Sequence, residues 1–363
     1  MNPTPPPLAP AISVVIPMYN SEKYIGALLG SLLAQTFQDF EVVVVDNGST
    51  DNSPAILESY IPKFGGRLKI SKIEINSGSP SPAYNKAMAL SRGKYVYIMD
   101  SDDLIVNNAL EILYNYAEKS NAEVVNMARG YLFFSETEKP FPVNENIRII
   151  NWSPFNSQAA MFEPDNIGVR IQNICKGLMG RTAWQKFVLR DLMIENNIIF
   201  PENTRIANDT VWALQVFCCA KKILTIPEPL HIYREVSNSV SHKKKTPEEN
   251  IPNIMNSMII ILNFMEKFFD SQKFFQENPQ YHWALLNYLE NACFGDLRFQ
   301  TPNIPQEDKF FNLLEKEFEK NFGTYGAVIA YLCTASQFSR ERLKTTIRRT
   351  FELENKLKQL QGG

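Results

Sequence analysis

Short apolar runs alternate with segments of helical periodicity along the first half of the chain. Residues 12–17, 40–45 and 68–75 are rich in β-branched side chains and predict three strands. A helix is predicted after each strand, because apolar residues recur there at helical spacing. These helices begin near Ser21, Ser53 and Ala83. Strands that alternate with helices predict an α/β domain with a mostly parallel sheet covered by helices on both faces.

A fourth apolar run, residues 95–99, ends in three closely spaced carboxylates, Asp100, Asp102 and Asp103. Carboxylates this close repel one another unless a cation lies among them, which predicts a divalent metal site. The alternative is that Asp102 or Asp103 caps a helix that begins near Val106. A cap uses only one carboxylate, so the cluster favours the metal site.

Polar turns follow three of the predicted strands. They begin at Pro17, Asp46 and Asp100. Ligands of parallel α/β sheets bind at the carboxyl ends of the strands, so these turns are expected to line one site.

The alternation becomes less regular after about residue 125. A helix is predicted around residues 182–196, and a second helix over 211–219 directly after Asn208 and Asp209. Residues 223–226 and 230–233 are predicted as closing strands. Beyond a basic link at 242–245 the chain is expected to be helical to its end, without an internal repeat.

Composition excludes several classes of protein. A net charge of −2 gives no electrostatic reason for binding nucleic acid. The five cysteines form no CxxC pair and are interpreted as reduced core residues. No apolar run approaches the ~18 residues of a membrane span, and the Pro-rich start does not have the pattern of a signal peptide. The chain is therefore expected in the cytoplasm.

Several motifs, taken in order, match one family. The chain resembles the family 2 glycosyltransferases, the GT-A fold enzymes of bacterial polysaccharide synthesis, over roughly residues 12–241. The resemblance implies a GT-A (Rossmann-like) domain at 12–241. Outside it, the Pro-rich residues 1–11 are predicted to be a flexible tail and residues 242–363 a helical C-terminal region. The matching segments are 15–20, 45–51, 76–78, 93–96, 100–103, 184–186, 208–209, 233–234 and 238–239.

The resemblance implies a role for each of these segments. It implies donor-binding positions at Pro17, Tyr19, Asp46, Asn85, Asp100 and Arg234. It implies that Asp102 is the direct ligand of Mn²⁺ or Mg²⁺, with Asp100 near the ribose or the metal. It implies that Asp209 is the catalytic base of an inverting reaction. It implies acceptor-side positions at Asn208, Trp184 and Lys186.

Each main candidate also has a structural alternative. Asp46 either accepts an N–H from the base of the donor or closes an Asx turn. Asp209 either takes the proton of the acceptor hydroxyl or caps the helix that follows it. Tyr19 either borders the base or packs in the core. Trp184 either stacks on a sugar face or packs in the core.

The chain departs from the family pattern at three positions. Asn208 replaces the usual Glu, and an amide cannot act as a base. Tyr84 replaces an Arg, so that a cation near the donor is either absent or supplied by Lys86 or Arg92. Val236 replaces a His, for which His242 or His231 is the candidate substitute.

The expected function is an inverting, metal-dependent transfer of a sugar from a nucleotide diphosphate, in particular UDP, to a saccharide or lipid-linked saccharide acceptor. The alternative is a nucleotide-sugar binding protein without turnover. A sugar nucleotidyltransferase is disfavoured because no Gly-rich, basic phosphate loop lies near the N-terminus. A basic segment at 340–349 suggests peripheral contact with anionic lipid, a solvated helix face or a homodimer contact.

Overall fold

The computed structural model describes residues 9–134, 147–235, 244–301 and 306–322, together with residues 330, 333, 334 and 338. No helix in these ranges is long and apolar enough to cross a membrane. The strands are β1 (Ile12–Met18), β2 (Phe40–Asp46), β3 (Leu68–Lys72), β4 (Tyr95–Ile98), β5 (Leu104–Ile105), β6 (Val124–Met127), β7 (Arg129–Phe134), β8 (Ile147–Asn151), β9 (Met161–Phe162), β10 (Lys186–Leu189), β11 (Ile223–Ile226) and β12 (His231–Glu235).

The helices cover most of the remaining described chain. They are α1 (Ile25–Leu33), α2 (Ser53–Ser59), α3 (Ile61–Phe64), α4 (Ser81–Leu90), α5 (Ala109–Ser120), α6 (Ile167–Cys175), α7 (Arg190–Glu195), α8 (Asn208–Cys219), α9 (Pro247–Ser271), α10 (Lys273–Glu277), α11 (Pro279–Gln300) and α12 (Glu307–Phe322).

The main sheet has eight strands in the order β3-β2-β1-β4-β10-β6-β11-β9. The first four of these strands are parallel, and the predicted parallel half of the sheet is confirmed. Strand β10 runs antiparallel to both of its neighbours, so the sheet is mixed. A second sheet, in the order β5-β12-β7-β8, begins directly after the acidic turn and brings β12 beside it.

The hydrophobic core forms where both faces of the main sheet are buried. Every residue of β1 and β2 is buried, and α1 covers one face of the sheet with Ile25, Leu28 and Leu29. Buried parallel strands of this kind appear in the sequence as continuous apolar runs rather than alternating ones. The carboxyl ends of β1, β2 and β4 are therefore held by a rigid frame.

The predicted helix over residues 182–196 is wrong in its first half. The chain forms a 3-10 turn, Ala183–Gln185, then strand β10, and becomes helical only in α7. The apolar Phe187 pairs with Tyr97 of β4 and stacks on Tyr95, with ring centroids 4.8 Å apart. This sheet position, supplied by residues far away in the chain, overrides the local helical spacing.

Two predicted helix caps are also wrong. Helix α1 begins at Ile25 rather than at Ser21, whose hydroxyl lies 2.6 Å from that of Ser101. Neither Asp102 nor Asp103 caps a helix, because β5 follows them and α5 begins only at Ala109. The carboxylates of the acidic turn are thus available for other contacts.

The chain divides into two compact units, one formed by Met1–Val240 with Ser257–Ala292 and the other by Ser241–Asn256 with Cys293–Gly363. In the second unit, α12 buries Phe310, Leu314 and Phe318 along one face. The boundaries of the sequence-based domains stay predictions. Most of the predicted tail and the whole basic segment 340–349 lie outside the described residues, as do Val236 and His242.

Candidate active site

The first group of candidate residues lies at the ends of β1 and β2. Pro17 is buried within β1 beside Val45, and Tyr19, just past the strand, is 47% exposed. Asp46 ends β2 and is buried, and its Oδ1 accepts the Ser49 N–H at 2.9 Å. Its Oδ2 is also buried but has no hydrogen-bond partner among the described residues. The Asx-like bond therefore exists and leaves one carboxylate oxygen available for a ligand.

The three carboxylates of the acidic turn have three different environments. Asp100 accepts a short hydrogen bond from the Tyr84 hydroxyl. Asp103 is fully buried and accepts from the Arg234 backbone N–H at 2.8 Å and from His231 Nε2 at 2.9 Å. The side chain of Asp102 is partly exposed. Asp103 is thus committed to the protein, while Asp100 and Asp102 face the site.

His231 is the centre of a buried support beneath this turn. Burial lowers the pKa of its imidazole to about 3, so the ring is neutral at physiological pH. Nδ1 lies 2.8 Å from the Tyr97 hydroxyl, which fits Nδ1 as the acceptor and Nε2–H as the donor to Asp103. His231 therefore holds the turn and is not the substitute metal or phosphate contact.

Negative charge accumulates in the acidic turn. Burial, together with the mutual repulsion of the carboxylates, raises the pKa values of Asp102 and Asp103 well above their usual range. No group of three or more acidic, His or Cys side chains in the described ranges is arranged to hold a metal by itself. Asp100 and Asp102 fit a hard divalent cation whose other ligands come from a second molecule.

Arg234 provides the positive charge beside this turn. Its Nε donates to the Asp102 carbonyl at 2.8 Å, and its guanidinium lies over the rings of Tyr24 and Phe133. Nη1 is buried and has no hydrogen-bond partner among the described residues. This nitrogen is a candidate donor to an anionic ligand.

Asp209 lies in the first turn of α8, which Ala207 enters with a left-handed φ of +54°. It does not cap the helix, because its Oδ2 accepts the Ala183 N–H at 3.3 Å from outside it. Burial, followed by the charge of Asp100, raises the pKa of Asp209 to about 7. Asp209 and the acidic turn therefore belong to one electrostatic site.

The remaining predicted site residues make contacts inside the protein. The Asn85 side chain accepts from and donates to the backbone of Phe200, at 2.9 and 3.0 Å. Asn208 is buried and bonded to Thr204 and Ser79. Trp184 is 4% exposed and stacks on His231, with ring centroids 4.4 Å apart. These contacts position the loops around the site.

The family model described as Glycosyl transferase family 2 matches residues 13–177. That range includes β1, the end of β2 and the whole acidic turn.

Over these residues the chain is similar to the family 2 glycosyltransferases.

Relatives of this glycosyltransferase occur in several bacteria. Glycosyltransferase GlyG of Streptococcus pneumoniae is 29% identical over 63% of this chain and 72% of its own length. A cholesterol galactosyltransferase of Borreliella burgdorferi is 26% identical over 86% of this chain and 87% of its own length. The structure of S. aureus TarS 1-349 in complex with UDP superposes with a TM-score of 0.59 at 21% identity, covering 91% of each chain, which shows the shared fold.

Sequence reasoning did not predict the roles of three residues that shape the site. Tyr84 stands where the family has an Arg, and it orients Asp100. His231 and Tyr97 support Asp103 from below. The signal for Tyr84 was its departure from the family motif, whereas the other two lie in apolar runs that resemble ordinary core.

The structure separates the two candidate cations, Lys86 and Arg92. Lys86 Nζ donates to the carbonyl of Lys72, the residue paired with Asp46, at 2.6 Å. Arg92 pairs with Glu41 at 3.2 Å, near Ser13 at the amino-terminal ends of the strands. Arg92 therefore lies away from the acidic turn, whereas Lys86 lies near the end of β2.

Proposed function

We propose that the protein is an inverting, metal-dependent glycosyltransferase that moves a sugar from a nucleotide diphosphate donor, in particular a UDP-sugar, to a saccharide or lipid-linked saccharide acceptor. The observation that carries the proposal is the half-buried Asp209, which feels the charge of Asp100 and accepts the Ala183 N–H. A carboxylate with a pKa near 7 is suited to accept a proton at physiological pH.

The donor base is proposed to bind at the ends of β1 and β2. The unpartnered Oδ2 of Asp46 can accept an N–H of a uracil-type base, and the exposed ring of Tyr19 can border it. Pro17 shapes the strand beneath this position, and Asn85 contributes through its bonds to the Phe200 backbone. UDP in the structure of TarS supports UDP as the first nucleotide to test.

Asp102 and Asp100 are proposed to hold Mn²⁺ or Mg²⁺ together with the donor diphosphate. Such an ion, when bound, stabilises the charge that develops on the departing diphosphate. Arg234 Nη1 can donate to a phosphate oxygen, and the Tyr84 hydroxyl keeps Asp100 oriented toward the site.

The chemical step is a single displacement. The acceptor hydroxyl oxygen forms a bond to the anomeric carbon while the bond from that carbon to the diphosphate oxygen breaks. Asp209 takes the proton of the hydroxyl, and the electron pair leaves with the nucleotide diphosphate. Attack from the face opposite the leaving group inverts the anomeric centre.

The acceptor class rests on the relatives alone. The names of TarS and of the Borreliella enzyme indicate a poly(ribitol-phosphate) and a sterol. We place the reaction at the inner face of the membrane, in cell-surface polysaccharide synthesis. Peripheral contact through the C-terminal helices and a homodimer remain proposals, because the basic segment lies outside the described residues.

The test compares donor binding with turnover. UDP, GDP, CDP and dTDP sugars are titrated with and without Mn²⁺ or Mg²⁺, and release of free nucleotide diphosphate is followed. Asp102→Ala should remove the metal-dependent part of donor binding. Asp209→Asn should keep donor binding and lose turnover.

Asp191→Asn is the matched control, since Asp191 lies exposed in the first turn of α7. It should retain both binding and turnover. Full turnover in Asp209→Asn contradicts the assigned base. Binding without turnover in the wild type, even with saccharide acceptors present, favours the binding-protein alternative.

A further inference from the structure

Lys186 is a fully buried lysine that lies next to the site and forms no salt bridge with any residue that the structure describes. Its Nζ donates to the carbonyls of Gly180 and Thr182, at 2.9 and 2.7 Å, and lies 4.8 Å from the centre of the Phe217 ring. Burying an ammonium group is costly even when it is hydrogen-bonded. A neutral side chain would fill the same space at a lower cost in folding free energy. The charge of Lys186 is therefore expected to have an electrostatic role.

The two carbonyls belong to a tightly built turn, residues 180–185. The Thr182 hydroxyl donates to Gln185 Oε1 at 2.6 Å, and Gln185 Nε2 donates to the Met127 carbonyl at 3.1 Å. A Cβ atom on Gly180 would lie 2.4 Å from Gln185 Oε1, so a larger residue there would displace the Gln185 amide. Lys186 and Gln185 thus hold the turn together from inside.

The turn has one contact with the site. The Ala183 N–H donates to Asp209 Oδ2 at 3.3 Å. Lys186 and Asp209 are both within the described ranges, and no direct salt bridge joins them. Lys186 therefore acts on the Asp209 carboxylate indirectly, through the turn and through the electric field of its ammonium group.

The electrostatics are consistent with this arrangement. Burial lowers the pKa of Lys186 to about 7, and the Asp209 charge opposes that change. In return, Lys186 opposes the rise in the pKa of Asp209. The other titratable groups that act on Asp209 are Asp100, Asp103 and Tyr84, and both aspartates favour its protonated form.

We propose that Lys186 is a positioning residue: its ammonium group holds the 180–185 turn so that the Ala183 N–H meets Asp209, and its positive charge favours the carboxylate form of Asp209. The inference rests on the proposed function, in which Asp209 is the base. It assigns to Lys186 an action on the base rather than on the acceptor sugar.

The first test measures the titration of Asp209 in the absence of substrate. The Ala183 amide signal is monitored against pH in ¹⁵N-alanine-labelled protein, and is identified by its absence in Ala183→Pro. Lys186→Met should raise the midpoint of this titration by about one unit, and Lys186→Arg should keep it within about 0.3 unit.

Lys222→Met is the matched control, because Lys222 also donates to a carbonyl, that of Ser120, and lies over the Phe162 ring. Its midpoint should equal that of the wild type. An unchanged midpoint in Lys186→Met, or an equal rise in the control, overturns the inference.

The second test uses turnover and does not depend on the folding of Lys186→Met. Ala183→Pro removes only the N–H that faces Asp209, at the first position of a 3-10 turn where the preceding Thr182 is already extended. UDP release from UDP-glucose, UDP-galactose and UDP-N-acetylglucosamine is measured with Mn²⁺ against pH. The acid limb of kcat/KM should move to higher pH by about half a unit or more.

An unmoved acid limb in a folded Ala183→Pro protein contradicts the role of the turn. The experiments distinguish a failure of the proposed base, Asp209, from a failure of the proposed role of Lys186. Full UDP release by Asp209→Asn sinks the proposed base, whatever the amide titration gives. An inactive Asp209→Asn with an unmoved amide midpoint in Lys186→Met sinks only the role of Lys186.

Discussion

Asp46→Asn tests the proposed contact with the donor base. It should weaken UDP binding with little change in the stability of the unliganded protein. In the wild type Oδ1 is bonded to the Ser49 N–H, while the buried Oδ2 has no partner among the described residues. An asparagine keeps an oxygen for Ser49 and turns the other position into an NH₂ donor. It can no longer accept an N–H from a uracil-type base.

The size of the effect follows from the kind of bond that is lost. A hydrogen bond to a charged group contributes about 1.5–3 kcal/mol, and each 1.4 kcal/mol changes a dissociation constant about tenfold. The Kd for UDP should therefore rise by about 10- to 150-fold. The unfolding free energy of the unliganded protein should change by less than about 1 kcal/mol, because the asparagine keeps the oxygen that accepts the Ser49 N–H.

Titration calorimetry with UDP and thermal unfolding without ligand measure the two quantities. Asp51→Asn is the control on the same loop, since both Asp51 oxygens are occupied by Ser53 and Glu22. It should lower the unfolding free energy by about 1 kcal/mol and leave the Kd for UDP within about twofold. A Kd for UDP that is unchanged in Asp46→Asn refutes the assignment of the base pocket.

Two further predictions concern the charged centre of the site. Tyr84→Phe keeps the ring stacked on Phe200 but removes the hydroxyl that orients Asp100, so Mn²⁺-dependent UDP affinity should fall by about tenfold with little change in Tm; an unchanged affinity would contradict the role of the hydroxyl. Because burial raises the pKa of Asp209 from 3.8 to about 7, ionising it costs stability as the pH rises through that interval. The Tm of Asp209→Asn relative to wild type should therefore increase between about pH 4 and pH 7 and then level off, and a constant difference would refute the burial of this charge.

The sequence predicted the part of the fold that depends on local pattern. Strands β1, β2 and β11 and helices α2 and α8 were found within a few residues, because their apolar runs are bounded by turn residues. Strand β10 was missed, because its place between β4 and β6 is created by partners far away in the chain. A single sequence contains no direct record of such pairing.

The sequence predicted which carboxylates form the candidate site, but not which contacts each of them makes. Asp102 and Asp103 are neighbours in the chain, yet only the carboxylate of Asp103 is bonded to His231 and to the Arg234 backbone N–H. Trp184 was expected either to stack on a sugar or to pack in the core, and its ring is covered by His231. The family motif identifies which residues occur together, while the orientation of Asp103 is set by β12 of the second sheet, that of Asp100 by Tyr84 of α4 and that of Asp209 by Ala183.

Charge explains why the predicted base and the predicted metal ligands belong together. Asp100, Asp102, Asp103 and Asp209 all have raised pKa values, for which burial is the first cause, and the basic groups that act on them are Arg234, Lys186 and the neutral His231. A divalent ion bound at Asp102 and Asp100 would offset the repulsion that these carboxylates exert on Asp209. The base would then become fully ionised only when metal and donor are bound, which links proton transfer to occupation of the donor site.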